Sequence, residues 1–192
     1  MPSGRIFQDH PLAVGERLTL TQSASHYLLR VLRVKVGESI IVFNGSGGEY
    51  QAVITSLSKH SVIVQLEQFN NINIESPIHI ELGQALLRGD KMDWVIQKAV
   101  ELGVSVITPL LTERVGVKLH EERLTKRLEH WRGIAVSACE QSGRCVIPIV
   151  HAPVDISVWT NSLKIPSFVA IPGAEGSLPV SLDSKQVRVM IG

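Results

Sequence analysis

The sequence predicts two domains, a small N-terminal β-barrel followed by a three-layer α/β domain. Residues 1–72 contain short alternating or β-branched runs separated by glycines and turns, which is typical of short strands. Residues 73–192 instead alternate apolar runs with amphipathic stretches, which predicts a mostly parallel sheet with helices on its faces. The segment Asn70–Asn73 between the two patterns is polar and turn-prone, so we place the domain boundary there.

The N-terminal domain is expected to contain four strands and one short helix. The strands are predicted at Leu18–Leu20, Ser39–Phe43, Glu49–Ile54 and Ser61–Leu66. Asn44-Gly45 directly follows an apolar run, which favours a hairpin. A helix is predicted over Ser25–Arg33, with Arg30 and Arg33 three residues apart on its basic face.

The α/β domain is best defined in the segment Leu82–Lys118, which predicts strand, loop, helix and strand. The charged loop Arg88–Lys91 interrupts the first strand, and Asp90 is the expected N-cap of the helix. Gly103 suits the left-handed end of that helix. Strands are then expected at Val104–Leu111, Val146–Val150, Phe168–Ile171 and Gln186–Ile191, and helices at Glu121–Gln141 and from Asp155 to about Leu163.

The composition excludes several classes of protein. No apolar run reaches the about 20 residues of a membrane span, and from the polar N-terminus we expect no signal peptide. The net charge of +1 argues against binding polyanions through bulk charge, so any RNA contact must come from a local basic patch. Cys139 and Cys145 lack the spacing of a zinc site and are expected to be reduced thiols. We therefore expect a cytoplasmic protein with no membrane and no metal partner.

The motifs of covalent and metal-dependent catalysis are absent from the sequence. Gly45–Gly48 has no following helix to supply a positive dipole, so a hairpin turn is favoured over a phosphate cradle. The remaining candidates for ligand contact are basic residues. Arg88, Lys91 and Lys98 cluster at the carboxyl end of a predicted strand, where open α/β sheets bind ligands. A single cation is as often simply solvated, so both interpretations stay open.

Two sets of residues match a known family. In the α/β domain they are Gly83-Gln84, Arg88–Asp93, Gln97-Lys98, Glu101–Val104 and Glu113-Arg114. In the β-rich domain they are His26, Leu29–Arg33, Gly37 and Asn44-Gly45. On these residues the chain resembles the N3-uridine methyltransferases of bacterial small-subunit ribosomal RNA. These are SPOUT-class enzymes with a knotted α/β fold and a PUA-like N-terminal domain, and the resemblance covers nearly all 192 residues.

The resemblance implies transfer of a methyl group from S-adenosylmethionine to N3 of a uridine, by a homodimer that acts on small-subunit ribosomal RNA within an assembled subunit. Arg5 matches an arginine that approaches the active site and is implied to be catalytic. Ile171, Pro172, Gly173 and Gly192 match parts of two cofactor-binding loops. The implied RNA-binding residues are Arg30, Arg33, Arg88, Lys91, Lys98 and Arg144.

The sequence leaves two other hypotheses open. The family's later cofactor motifs, Gly-Pro-Glu-Gly-Gly and Leu-Arg-x-Glu-Thr-Ala, are absent, since the chain stops at Gly192. An incomplete knot and an inactive 192-residue polypeptide are therefore expected, and the alternative function is an RNA-binding module or truncated fragment without a complete cofactor site. The third hypothesis is an unrelated doubly wound enzyme that binds a nucleotide at its strand ends. The sequence identifies no general base.

Overall fold

The computed structural model describes residues 2–113, 121–161, 165–173 and 184–192, with the backbone alone for residues 121–123. The chain divides into two compact units. The first comprises the chain up to Glu75 together with Cys139–Ile147, and the second comprises Ser76–Ala138 with Pro148–Gly192. The sequence places the boundary at residue 72 and carries no sign that the segment 139–147 returns to the first unit.

The first unit contains a five-stranded mixed sheet in the order β1-β3-β4-β5-β2. Its strands are β1 Arg5–Phe7, β2 Arg17–Thr19, β3 Ser39–Phe43, β4 Glu49–Leu57 and β5 Val62–Asn70. Strand β1 pairs with β3 in parallel, and the other pairs are antiparallel. Pairing between the edge strands β1 and β2, which would close the expected barrel, does not occur among the described residues. The unit is therefore β-rich as predicted, with an open sheet.

A short helical segment packs on this sheet. Helix α1, Gln22–His26, begins after Thr21, whose hydroxyl accepts a hydrogen bond from a first-turn amide at 3.4 Å. The chain continues as a π-helical turn over Tyr27–Leu32 and ends at Arg33 with a left-handed φ of 53°. The prediction that Arg30 and Arg33 share a helical face is therefore wrong, because Arg33 lies beyond the last helical residue. The core between sheet and helix includes Leu28, Ile40, Val42, Ile54 and Val62.

The second unit is built on a parallel sheet, as predicted, with the strand order β10-β11-β6-β7-β8. Its strands are β6 His79–Ala85, β7 Val106–Leu111, β8 Ile149–Val150, β9 Val154–Asp155, β10 Ser167–Ala170 and β11 Gln186–Ile191. The short β9 also pairs with β7. The helices are α2 Asp90–Glu101, α3 Glu121–Ser142 and α4 Ile156–Asn161, and among the described residues no helix is long and apolar enough to cross a membrane.

The centre of this parallel sheet is covered on both faces. All residues of β7 from Val106 to Leu110 are buried, which requires cover above and below the strand. Helix α4 supplies part of it: a Cβ added to Gly83 of β6 would lie 2.8 Å from ring atoms of Trp159. Gly83, one of the family-matching residues, thus has a packing reason to be glycine.

Candidate functional site

The carboxyl edge of the parallel sheet gathers the residues expected to bind the cofactor. Strands β10 and β11 are parallel neighbours, with Ala170 opposite Ile191. Ile171–Gly173 and Gly192, which follow these two strands, therefore leave the sheet side by side. Strand β11 also pairs with β6, so the loop that carries Arg88 leaves at the same edge. Strand β6, the first of this unit in the chain, thus lies beside β11, the last. Open α/β sheets bind ligands at the point where the strand order reverses in this way.

This edge offers main-chain groups and space to a ligand. Ile171, Pro172, Gly173 and Gly192 are all exposed. Apart from chain neighbours, no atom of the described residues lies within 4 Å of the position that a Cβ on either glycine would take. Among the described residues, no backbone hydrogen bond outside the helices and strands uses these four. The residues present therefore fit a ligand held through main-chain amide and carbonyl groups.

The loop between β6 and α2 takes its shape from Gly89. This residue is the N-cap of α2, with φ 58° and ψ −145°, a conformation that is essentially restricted to glycine. The predicted N-cap, Asp90, is instead the first helical residue. That prediction is wrong by one position, because the backbone freedom of glycine, rather than a capping side chain, sets the start of the helix.

The cations of this loop and helix differ in how they are engaged. Arg88 and Lys91 are exposed, and the side chain of neither forms a hydrogen bond or ion pair with another described residue. Lys98 is bound by the carboxylate of Glu101, one turn further along α2, with Nζ and Oε2 2.6 Å apart. An ion pair on the exposed face of a helix is weak in water, so a phosphate can compete for Lys98.

Arg5 lies in the first unit and is tied to other residues of that unit. Its Nη1 is 3.2 Å from Oε2 of Glu49, and its Nη2 donates to the carbonyl oxygen of Arg144 at 3.0 Å. Nη2 also lies 3.1 Å from Sγ of Cys145, and the guanidinium stacks 4.2 Å from the ring centroid of Phe43. Arg5 therefore shares its charge with a carboxylate and anchors the chain at residues 144–145 to β1.

Arg144 is only 5% exposed. Its Nε and Nη2 donate to Oε2 of Glu75 at 2.9 and 2.5 Å. Removing a buried cation from its carboxylate leaves that carboxylate uncompensated and is strongly unfavourable. This geometry supports a structural role for Arg144, which holds the segment 139–147 within the first unit.

An open cavity of about 440 Å³ adjoins Arg5, and Glu140 and Gln141 are among its lining residues. Burial raises the pKa of the Glu140 carboxyl, although this carboxyl accepts a hydrogen bond from the backbone amide of Phe7 at 3.0 Å and lies near Arg5. Burial also raises the pKa of Cys139 to about 11. A thiol that stays protonated at neutral pH is a poor nucleophile. The described residues include no cluster of three or more His, Cys, Asp or Glu that could hold a metal ion.

The structure separates the two predicted RNA-binding arginines of the first unit. Arg30 lines a small cavity together with Lys59 and His60, whereas Arg33 does not. The sequence marks Lys59-His60 only as a turn between two strands. A basic pair in a hairpin is a weak signal by itself, and nothing in the sequence places this hairpin beside Arg30. Arg114, one of the family-matching residues, lies outside the described residues.

Two family models match the chain. An RNA methyltransferase domain matches residues 74–192, and an RNA methyltransferase PUA domain matches residues 20–67. Two relatives named ribosomal RNA small subunit methyltransferase E come from Buchnera aphidicola. One, from the subspecies Schizaphis graminum, is 32% identical over 98% of this chain and 78% of its own length. The other, from the subspecies Acyrthosiphon pisum, is 34% identical over 82% of this chain and 62% of its own length.

Solved structures agree with these matches. A methyltransferase of Legionella pneumophila with bound S-adenosylmethionine has a TM-score of 0.91 and 34% identity, covering 100% of this chain and 80% of its own. The ribosomal RNA small subunit methyltransferase E of Neisseria gonorrhoeae, bound to S-adenosylmethionine, has a TM-score of 0.87 and 33% identity, covering 98% and 79%. The chain therefore belongs to a family of RNA methyltransferases with a PUA domain, and its relatives in that family are named ribosomal RNA small subunit methyltransferase E.

Proposed function

We propose that this protein transfers a methyl group from S-adenosylmethionine to N3 of a uridine in small-subunit ribosomal RNA. The observation that carries the proposal is the carboxyl edge of the parallel sheet. There, the open main-chain groups of Ile171–Gly173 and Gly192 lie beside the loop of Arg88. Family membership supports the same activity, because the matched relatives are named for methylation of the small subunit.

The residues at this edge divide the work between cofactor and substrate. S-adenosylmethionine, when bound, supplies a methyl group that its positively charged sulfur has already activated. Main-chain groups of Ile171–Gly173 and Gly192 would hold the cofactor at the strand ends. The cations of Arg88 and Lys91 would bind RNA phosphates, which orient the strand without reading its sequence. The contribution of the protein is then mainly alignment of the uracil N3 with the methyl group, together with exclusion of water.

The proton on uracil N3 is weakly acidic, so a positive group near the base would help by stabilising the developing anion. Arg5 is the family-matching candidate for such a role. Its contacts with Glu49 and with the carbonyl of Arg144 support a positioning role more directly, because its donors hold protein atoms. We therefore propose that Arg5 acts by fixing the chain at residues 144–145.

The setting of the reaction follows from the substrate. We propose that the protein works in the cytoplasm, on RNA within an assembled small subunit, and as a homodimer. Light scattering after gel filtration tests the last point, since a dimer has about twice the 21.1 kDa mass of one chain. A mass of one chain at micromolar concentration would overturn it.

The activity is tested by incubating the protein, expressed from its own gene, with tritiated S-adenosylmethionine and small ribosomal subunits that lack the modification. We expect label in the small-subunit RNA. Arg88→Ala and Lys91→Ala should each weaken RNA binding and lower its salt dependence by about one unit of logarithmic slope. Lys126→Ala, which removes an exposed cation from α3, is the matched control and should leave both unchanged. Small-subunit RNA that stays unlabelled would refute the proposal.

A further inference from the structure

We propose that a cavity in the first unit binds one backbone phosphate of the RNA, an inference that rests on the proposed function. The cavity has a volume of about 140 Å³ and is lined by Gln22, His26, Leu29, Arg30, Lys59 and His60. Four of these six residues are basic types, and none is acidic. The lining therefore favours an anion.

No carboxylate of the described residues forms an ion pair with the cations of this cavity. Arg30 and Lys59 are charged throughout the neutral pH range, and both are exposed. Neither forms an ion pair with a carboxylate in the described part of the chain. Two like charges that face one small space repel each other, and a bound anion would relieve this repulsion. A phosphate of RNA is such an anion, and its capture would also release a condensed counterion.

The two elements that carry these cations are fixed to each other by a buried serine. The hydroxyl of Ser25 donates to the carbonyl oxygen of Leu20 at 3.3 Å and accepts from the backbone amide of Val62 at 3.1 Å. Ser25 belongs to α1, which continues into the π-helical turn that carries Arg30, and Val62 begins β5. The hydroxyl of Ser25 therefore joins this helical segment to the strand that follows the hairpin of Lys59. A site held in this way loses little entropy when it binds its ligand.

The hairpin that presents Lys59 has a defined shape of its own. The backbone amide of Ser58 donates to the carbonyl oxygen of Ser61 at 2.9 Å, which closes the turn. The amide of His60 also donates to the hydroxyl oxygen of Ser58 at 3.4 Å. The backbone positions of Lys59 and His60 are thus set before any ligand arrives.

The size of the cavity limits its occupant. Pockets that enclose a drug-sized ligand have volumes of about 300–1,000 Å³, so a cavity of about 140 Å³ cannot hold a whole nucleotide. It can hold the phosphate group of a strand that runs across the surface. Such a contact fixes the register of the RNA and is independent of base sequence. Free inorganic phosphate shares this chemistry, so the experiment must separate the two ligands.

The experiment measures binding of purified small-subunit ribosomal RNA over a range of salt, by filter binding. The variants are Arg30→Ala, Lys59→Ala and their combination, with Lys35→Ala as the control, since Lys35 is an exposed lysine of the same unit that does not line the cavity. Because Arg30 and Lys59 hold the same phosphate, the double variant should lose about one unit of logarithmic salt slope in total rather than two. Arg33→Ala combined with Lys59→Ala should instead show additive losses of affinity, because Arg33 lies outside the cavity.

Three results would overturn the inference. One is wild-type affinity and slope for Lys59→Ala, and the second is a loss of two full units in the Arg30/Lys59 double variant. The third result concerns a titration in which inorganic phosphate replaces chloride at constant ionic strength. If phosphate displaces RNA from the wild type while Lys59→Ala binds RNA with wild-type affinity, the cavity holds a free anion and not an RNA phosphate. Methyl transfer that persists alongside any of these results leaves the proposed function standing. If the variants lose the expected salt slope but the wild-type protein transfers no methyl group, the phosphate site stands and the proposed function fails.

Discussion

Replacement of Arg5 by alanine is expected to destabilise the first unit strongly. The change removes the ion pair with Glu49, in which the two side chains are only 13% and 15% exposed. It also removes the donor to the carbonyl oxygen of Arg144 and the stacking on Phe43. Removing one partner of a buried pair costs about 3–5 kcal/mol, and the partial exposure here favours the lower end. Loss of the ring contact adds about 0.5–1 kcal/mol, for a total near 3–4 kcal/mol.

The assay is urea unfolding followed by circular dichroism, with hydrogen exchange of β3 and β4 amides to assign the loss to the first unit. For a unit of this size, such a loss lowers the melting temperature by about 12–32 °C. The double variant Arg5→Ala/Glu49→Gln should recover at least about 1 kcal/mol, because it no longer leaves an uncompensated carboxylate. Arg17→Ala, an exposed arginine in β2, is the control and should stay within about 0.5 kcal/mol of the wild type.

A stability of Arg5→Ala equal to that of the control would refute this reasoning. If such a stable variant also lost methyl transfer, the guanidinium of Arg5 would be needed for the reaction itself. Loss of activity in proportion to loss of folded protein would instead support the positioning role.

Three further predictions concern burial. Glu140→Gln should stabilise the protein at pH 7 and have no effect near pH 4. Burial raises the pKa of this carboxyl above 4.5, so ionisation of Glu140 at neutral pH disfavours the folded state. Urea midpoints measured against pH check this, and a stabilisation that is constant with pH would contradict it. Cys139, whose pKa burial raises to about 11, should react about 100-fold more slowly with iodoacetamide at pH 8 than an ordinary thiol of pKa 9.0, because only the thiolate reacts. Urea should remove this protection, and fast alkylation of Cys139 in the folded protein would count against its burial. Gly83→Ala should cost about 1–3 kcal/mol by overpacking Trp159. Gly133→Ala in helix α3 should stabilise by about 0.5–1 kcal/mol, because outside its own helix no atom of the described residues lies within 4 Å of its Cβ position. Tryptophan fluorescence in urea measures both variants, and similar effects from the two would refute the packing argument.

The elements of regular structure were largely predictable, because periodicity and end signals are local. The predicted strand Gln186–Ile191 is found with those bounds, and Asp155 caps α4 through a hydrogen bond from the amide of Ser157 at 2.8 Å. The predicted strand Val146–Val150 is shortened to Ile149–Val150. Its first residue instead forms a bridge with Ser46 in the first unit, a partner one hundred residues away that no local pattern reveals.

The candidate site was predictable where it depends on strand order and hidden where it depends on distant partners. The strand-ending segment Ile171–Gly173 and Gly192 leave the sheet side by side because they follow neighbouring parallel strands. The burial of Arg144 was not foreseeable, since the partner that neutralises it, Glu75, lies 69 residues earlier. The proximity of Lys59 to Arg30 has the same origin, because tertiary packing alone brings that hairpin to the helix.

The identity of the methylated nucleoside tests the central proposal most directly. Small subunits that lack the modification are incubated with S-adenosylmethionine and the protein expressed from its own gene. Their RNA is then digested to nucleosides for mass spectrometry. We expect 3-methyluridine, together with a new stop for reverse transcriptase at one uridine, because N3 lies on the pairing edge of the base. A methylated nucleoside other than 3-methyluridine, or a subunit RNA that gains no methyl group, would contradict the proposal.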